Sequence, residues 1–338
     1  MIGNRIRLAR QANCLSLQQL AERISTCDFS ITKTALFNYE AGRTVPNQQM
    51  LSALVHVLGI KEAFYHLPDW TTFNPQIQGQ CEIASARLQE LLAYMQIEIE
   101  RFLTVSKKIG ITYSAHLPKK FSVSISEPEK IEAAAIALRN MWGIGKYAIP
   151  SVSNLLESNG WILFSLPEIF NQNHISGVET SSGLLFMFST PEPFLDNRRE
   201  NMLRELGKHI LEYPANEEIL ILDFFARALL FPKESVVYEF GQHRSHLRSE
   251  EMGCVKQKYG LSRRNIVKRL KDCGVISDEY YREYKLRIQQ SHHLLRETPT
   301  NTLLNFFEEP TTVYMCLQQA KAEGLISESG GLGFDFVY

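Results

Sequence analysis

The sequence predicts a mainly α-helical protein that contains one small α+β domain. Three observations predict this class. Apolar residues recur at spacings of three and four through residues 1–60 and 84–108, as on one face of a helix. Two short apolar runs, at 161–166 and 184–189, have the length of strands and lie between helical segments. The 338 residues exceed the size at which one core usually stops growing, so we expect two or three domains.

The first 65 residues are typical of short helices joined by tight turns. Ser16 stands at the N-cap position of a second helix, ahead of LQQLAERI. A third helix is predicted after Ile31, and a fourth follows Pro46 and ends near Gly59. This pattern predicts a small helical bundle at the N-terminus.

A linker and a long helix are predicted next. Residues 66–80, HLPDWTTFNPQIQGQ, are rich in proline and polar side chains, as linkers are. Residues 84–108 predict one amphipathic helix, whose apolar stripe comprises Leu88, Leu91, Leu92, Met95, Phe102 and Leu103. We expect this helix to pack onto the next domain or to serve as a connector or dimer element.

Mixed α/β patterning occupies residues 127–240, and basic helices follow. Ser262 is the predicted N-cap of a helix that carries five cations: Arg263, Arg264, Lys268, Arg269 and Lys271. Two interpretations stay open for this helix. It forms either a second nucleic-acid contact or a structural subdomain with a solvated basic face.

Charge is distributed unevenly along the chain. The formal net charge of −1 argues against a protein coated in nucleic acid or held on an anionic membrane. Residues 1–60 nevertheless carry six basic and three acidic side chains, a balance of +3. The six cysteines are scattered without a Cys-x-x-Cys pair, which argues against a zinc ribbon or redox site. No apolar run reaches the length of a membrane span, and we expect a cytoplasmic protein.

A helix, a short turn and a second helix with local positive charge can place a helix in the DNA major groove. The segments RIRLARQANCLSLQQLAERI, ITKTALFNYEAGRTVPN and LSALVHVLGI resemble the Cro/repressor-type (XRE) helix-turn-helix family across residues 2–60. The most specific part runs from Tyr39-Glu40 through Gly42-Arg43 to Pro46. The turn after Ser25 is about four residues longer than the usual turn of that family.

The XRE resemblance implies a recognition helix that starts near Thr32. Residues of this helix are expected to reach base edges or phosphates: Thr32, Lys33, Thr34, Phe37 and Asn38. Arg43 and Gln18 are expected near phosphates, where they position the domain without reading sequence. The expected partner is double-stranded DNA, bound by a homodimer.

Residues 129–232 resemble the ImmA/IrrE-type metallopeptidase domain, which implies a zincin-like fold with a small sheet. The resemblance rests on the segment from IEAAAIALRNMWGI to NGWILFSL, and on SGLLFMFS, NRRENMLRELGKHIL and FFARALLFP, in that order. Alignment on Glu205-Leu206-Gly207 puts Arg204 and Lys208 where the family has two histidine ligands. The third ligand position falls on Ile221, or on Ile219 if the alignment is read two residues earlier. Only the water-activating glutamate remains, as Glu205.

These replacements exclude an ordinary zinc site. A guanidinium has no lone pair to donate, and lysine holds its proton strongly. We therefore expect no metal or other cofactor. The pairs Glu200–Arg204 and Lys208–Glu212 also fit an ordinary solvated helix face.

The sequence thus predicts a DNA-binding transcriptional regulator with four regions: a head (1–65), a linker with a long helix (66–126), a degenerate peptidase-like domain (127–240) and a C-terminal helical region (241–338). The peptidase-like domain is expected to be inactive and to sense or bind a partner protein or a small anionic ligand beside Arg204 and Lys208. Two alternatives are an active metallo-endopeptidase with atypical ligands that cleaves a repressor, and an antitoxin-like or phage-defence regulator controlled by a partner protein.

Overall fold

A computed structural model describes residues 2–27, 29–69, 85–114, 117–170, 175–180, 183–189, 194–290 and 308–326. The described chain is mainly helical with two small sheets, as predicted. The predicted linker at 66–80 lies largely outside these residues. Among the helices that the structure describes, none combines the length and the apolar character needed to cross a bilayer.

The described helices, in chain order, are α1 (Ile2–Ala12), α2 (Leu17–Ser25), α3 (Lys33–Glu40), α4 (Gln48–Leu58), α5 (Glu62–Tyr65), α6 (Ser85–Lys108), α7 (Pro128–Met141), α8 (Val152–Ser158), α9 (Leu195–Ile210), α10 (Glu218–Leu230), α11 (Lys233–Phe240), α12 (Ser249–Tyr259), α13 (Arg263–Asp272), α14 (Asp278–Gln290) and α15 (Thr312–Ala322). The strands are β1 (Phe121–Ser122), β2 (Trp161–Ser165), β3 (Ile175–Glu179), β4 (Leu185–Ser189) and β5 (Leu211–Glu212). Strands β1 and β5 pair in parallel, and the three-stranded sheet has the order β2-β4-β3.

The chain folds as two compact units. The first is drawn from residues 1–114, 178–186 and 312–338, and the second from 115–177 and 187–311. The four predicted domain limits stay a proposal.

Local capping explains where several helices begin and end. The Ser16 side chain accepts a hydrogen bond from the backbone of Gln19, and the Gln19 side chain accepts one from the Ser16 backbone. Ser262 accepts a hydrogen bond from the Asn265 backbone at 3.2 Å, so its predicted N-cap position is confirmed. Gly59 ends α4 in the left-handed conformation, with φ of 67°, which glycine adopts without a steric cost.

The core of the first unit extends beyond the N-terminal bundle. Apolar side chains of α1 to α5 form it, including Ile6, Leu20, Ile24, Leu36, Leu54 and Phe64. Ala93 and Ile97 of α6 belong to the same core. Helix α6 also packs against α15, so it has neighbours on two sides.

The apolar stripe predicted for α6 is therefore wrong in part. Leu88 and Leu92 are only half-buried, whereas Ala93 and Ile97, which lie outside the predicted stripe, are buried. The physical reason is that a helix with two neighbours buries more than one face. We expect this helix to act through contacts within its own chain.

The second unit is built around α9 and α10, which pack against each other and, through α10, against α7 and α13. Phe225 and Leu229 of α10 and Leu203 of α9 are fully buried. The rings of Phe164 on β2 and Phe188 on β4 stack 4.8 Å apart. This packing sets the surroundings of helix α9.

Candidate nucleic-acid interface

Helix α3 presents a solvent-exposed face made of predicted contact residues. Thr32 caps the helix by accepting a hydrogen bond from the Ala35 backbone at 3.2 Å. Leu36 and Glu40, one turn apart, face the core, while Lys33, Thr34 and Phe37 are exposed. Helical spacing thus brings these three side chains and the capping threonine onto one accessible surface, which we call the α3 face.

An exposed aromatic ring and an exposed cation lie together at the end of this surface. Phe37 is 47% exposed, and the Arg43 guanidinium lies 5.3 Å from its ring centroid. The Asn38 carbonyl accepts a hydrogen bond from the Arg43 backbone at 2.9 Å. The Asn38 side chain is half-buried and lies 3.5 Å from the Arg43 guanidinium. Asn38 and Arg43 are therefore in contact with each other beside the α3 face.

Gln18 lies on a different helix. It is exposed near the start of α2, where its amide donates to Glu22 at 2.9 Å. The connection from the end of α2 at Ser25 to the start of α3 at Lys33 takes seven residues, 26–32, so it is long for a helix-turn-helix, as the sequence indicates. Asp28, within this turn, lies outside the described residues.

Two of the six cations in residues 1–60 point inward. The Arg10 guanidinium donates two hydrogen bonds to the Glu40 carboxylate, with nitrogen–oxygen distances of 2.6 and 2.8 Å. Arg5 is buried and pairs with Glu100 of α6 at 2.5 Å. Sequence reasoning missed these positioning residues, because their partners lie 30 and 95 positions away. The exposed head cations are Arg7, Arg23, Lys33 and Arg43.

Helix α9 is buried, which corrects the expectation of a solvated face. Five charged side chains along it have at most 6% exposure: Asp196, Arg198, Arg199, Glu200 and Glu205. Lys208 pairs with Glu205 at 2.8 Å, three residues away, instead of forming the predicted pair with Glu212. The reason is that α8 and α10 pack against this helix.

Glu205 is engaged as a hydrogen-bond acceptor. Its Oε1 accepts from the Gly177 backbone at 2.9 Å, and its Oε2 accepts from Lys208. Burial alone raises the pKa of this carboxyl, but hydrogen bonding to His209 and the nearby Lys208 charge outweigh burial and lower the pKa. A Cβ at Gly177 would lie 2.6 Å from Oε1, so only glycine permits this approach. The carboxylate thus ties β3 to α9.

Arg204 and Lys208, the two cations that the sequence resemblance aligns with metal ligands, are paired with carboxylates. Arg204 Nε lies 2.6 Å from Asp223 Oδ1, and Arg204 Nη2 lies 3.8 Å from Glu200. Ile221 is fully buried. Because both charges are already paired, the geometry does not favour the small anionic ligand expected beside Arg204 and Lys208, and that ligand stays a prediction. Within the described ranges, no cluster of three or more His, Cys, Asp or Glu side chains is suited to hold a metal ion.

Most of the cations on the basic helix α13 are paired with carboxylates. This pairing corrects the expectation that the helix presents a solvated basic face. Arg269 is fully buried and donates to the Phe231 carbonyl at 2.8 Å and to Glu132 at 2.6 Å. Lys268 pairs with Asp272 at 2.5 Å. Lys271 pairs with Asp278 at 3.2 Å, so only Arg263 and Arg264 among the five cations lack a carboxylate partner in the described chain.

Comparisons with known proteins agree with the head geometry. The helix-turn-helix family model matches residues 6–65. Over 60 residues the chain is 37% identical to multiprotein-bridging factor 1 of Candida albicans, a match that covers 18% of this chain and 36% of that protein. The match thus spans about a third of the relative's length. No solved structure matches the chain. The N-terminal region is an XRE-type helix-turn-helix domain.

Proposed function

We propose that this protein is a sequence-specific DNA-binding transcriptional regulator whose head inserts α3 into the major groove. The main support for this proposal is the α3 face, where Thr32, Lys33, Thr34 and Phe37 are exposed. This helix belongs to a domain that matches the helix-turn-helix model. Threonine can hydrogen-bond base edges, and the Phe37 ring can pack against a thymine methyl group. Lys33 supplies charge for a phosphate.

Arg43 and Gln18 are proposed to contact the DNA backbone. Both side chains are exposed, and a guanidinium binds phosphate well. Asn38, half-buried beside Arg43, is proposed to orient that cation as well as to reach a base edge. We further propose a homodimer that reads two half-sites about one helical turn apart.

Residues 127–240 are proposed to form a peptidase-like module without hydrolytic activity that binds a partner protein. Two features support this view. Cations occupy the positions where the resembled family has histidine ligands, and each is paired with a carboxylate. Glu205, the remaining glutamate, uses both oxygens in hydrogen bonds within the fold. An active enzyme would contain stoichiometric zinc and lose activity in Glu205→Gln, so elemental analysis of the purified protein tests this part.

The main experiment is a random-site DNA selection with the full chain, followed by affinity measurements on the selected duplex. Lys33→Ala should weaken binding to all duplexes and reduce the salt dependence by about one charge. Asn38→Ala should cost about 1–3 kcal/mol if it reads a base, and should relax preference at one position. Arg7→Ala is the matched control, because Arg7 is an exposed head cation that lies on α1 beside Gln96 of α6.

The outcomes separate the parts of the proposal. Enrichment of one sequence family that Lys33→Ala and Asn38→Ala weaken, with Arg7→Ala unchanged, supports the α3 assignment. Equal loss in Lys33→Ala and Arg7→Ala, with Asn38→Ala unchanged, would indicate charge attraction without a recognition helix. If the wild-type protein enriches no sequence, the regulator proposal is wrong.

A further inference from the structure

A cavity of about 370 Å³ lies within the second unit, far along the chain from the head. The first turns of α12 and α13 and one face of α14 enclose it. Tyr280, Tyr284, Arg287 and Ile288 of α14 line it with the spacing of one helical face. Its volume falls in the range of pockets that take small molecules, about 300–1,000 Å³.

Four guanidinium groups line this cavity: Arg248, Arg263, Arg264 and Arg287. No carboxylate is among the described residues that line it. Arg263 donates to the neutral Ser249 hydroxyl at 3.1 Å, and Arg287 lies 3.9 Å from the exposed Glu283. Neither Arg248 nor Arg264 forms an ion pair with any residue that the structure describes. The cavity therefore has unbalanced positive charge.

Several carboxylates of the neighbouring elements pair with cations that do not line the cavity. Glu251 of α12 pairs with Arg244, and Asp272 of α13 pairs with Lys268 and Arg227. Arg248, Arg263 and Arg264 thus have no carboxylate partner in the described chain, and Arg287 has only the 3.9 Å contact with the exposed Glu283. The first turns of α12 and α13 add the partial positive charge of helix N-termini on the same side.

The rest of the lining is aromatic and apolar. Met252 and Val267 are buried beneath the arginines, and Tyr280 and Tyr284 are half-buried. The Arg287 guanidinium lies 5.7 Å from the Tyr280 ring centroid, so a cation and a ring face the same space. Tyrosine rings provide stacking surfaces for planar groups such as nucleobases.

We infer that this cavity binds a nucleoside phosphate, with the phosphates on the arginines and the base against the tyrosines. Planar guanidinium groups match phosphate oxygens in pairs, which favours a phosphate-bearing ligand. A concave site closed by three helices suits a small molecule better than the backbone of a DNA duplex. The inference does not depend on DNA binding by the head.

The test is calorimetric titration of the full chain with ATP, AMP, adenosine and inorganic pyrophosphate. ATP should bind most tightly, pyrophosphate more weakly and adenosine weakest. Arg264→Ala should reduce ATP affinity by about tenfold or more, the effect of one charge-assisted hydrogen bond. Tyr280→Ala should weaken ATP binding but leave pyrophosphate binding unchanged.

Arg282→Ala is the matched control. Arg282 is an exposed arginine of the same helix α14 that pairs with Glu279 and does not line the cavity, and its replacement should leave ATP affinity unchanged. Arg264 is exposed too, so its replacement should leave the thermal melting curve unchanged.

Three results would overturn the inference. The first is absence of ATP binding at millimolar concentration. The second is ATP affinity equal in wild type and Arg264→Ala, which places the nucleotide elsewhere. The third is a short duplex that binds tighter than ATP in a Lys33→Ala background and loses affinity in Arg264→Ala, which indicates a DNA backbone contact.

Discussion

Replacing Gly3 with alanine should displace the recognition helix. Gly3 lies in the first turn of α1, at the point where this helix meets the C-terminal carbonyls of α3. A Cβ at this position would fall against the Tyr39 carbonyl oxygen and 2.9 Å from the Glu40 carbonyl oxygen. Both atoms are backbone, so they cannot rotate away as a flexible side chain would.

The size of the effect follows from these distances. Ordinary contact with a Cβ begins at 3.4 Å, so the Glu40 oxygen alone requires a shift of about 0.5 Å. Overpacking of this kind costs about 1–3 kcal/mol, and the helix preference of alanine over glycine returns about 0.5–1 kcal/mol. We expect a net loss of up to about 2.5 kcal/mol in the free energy of unfolding and weaker binding to the selected DNA.

The assay is urea unfolding followed by circular dichroism, together with DNA titration. Gly253→Ala is the matched control, since Gly253 is also helical but its added Cβ would lie 3.8 Å from the Arg263 side chain, an ordinary contact. That variant should be equally or more stable than the wild type. If Gly3→Ala unfolds at the wild-type urea concentration and keeps its DNA affinity, the close approach of α1 to α3 is refuted.

Two further predictions concern buried carboxylates of the second unit. Burial raises the pKa of Glu200 to about 7, so the folded chain binds this proton more tightly than the unfolded chain and stability should fall as pH rises from about 4.5 to about 7. Unfolding measured at several pH values should show a loss of up to about 3 kcal/mol that Glu200→Gln lacks; equal pH dependence in both proteins would contradict this assignment. Glu308→Ala should cost about 3–5 kcal/mol because it leaves the buried Arg199 guanidinium, 2.6 Å away, without its carboxylate. Glu234 and its partner Lys146 are both exposed, so Glu234→Ala should cost about 1 kcal/mol or less, and a thermal melt that ranks Glu308→Ala and Glu234→Ala equally would be evidence against the buried pair.

Helix boundaries could be predicted from the sequence because the signals are local. A cap such as Ser16 or Ser262 involves a backbone group only three residues away, so spacing along the chain reveals it. The exposed side of α3 was predictable for the same reason, since burial of Leu36 and Glu40 follows helical periodicity.

Burial of charged residues could not be predicted from spacing. The pattern of α9 fits a solvated helix, and only the packing of α8 and α10 shows that it is buried. Arg269 belongs to a run of cations, and its partner Glu132 lies 137 positions away. Strand β3 was missed because Gly177 interrupts its apolar pattern, yet a glycine inside a strand often indicates the close approach that Glu205 makes here.

Helix α6 contributes to the core of the first unit, and this contribution determines where the polypeptide can be truncated. A polypeptide that stopped at residue 65 would match the whole helix-turn-helix model but would leave water where Ala93 and Ile97 now pack. It would also leave the buried Arg5 guanidinium without its carboxylate partner, Glu100. We therefore expect a piece that extends to about residue 108 to be more stable than one that ends where the helix-turn-helix match ends.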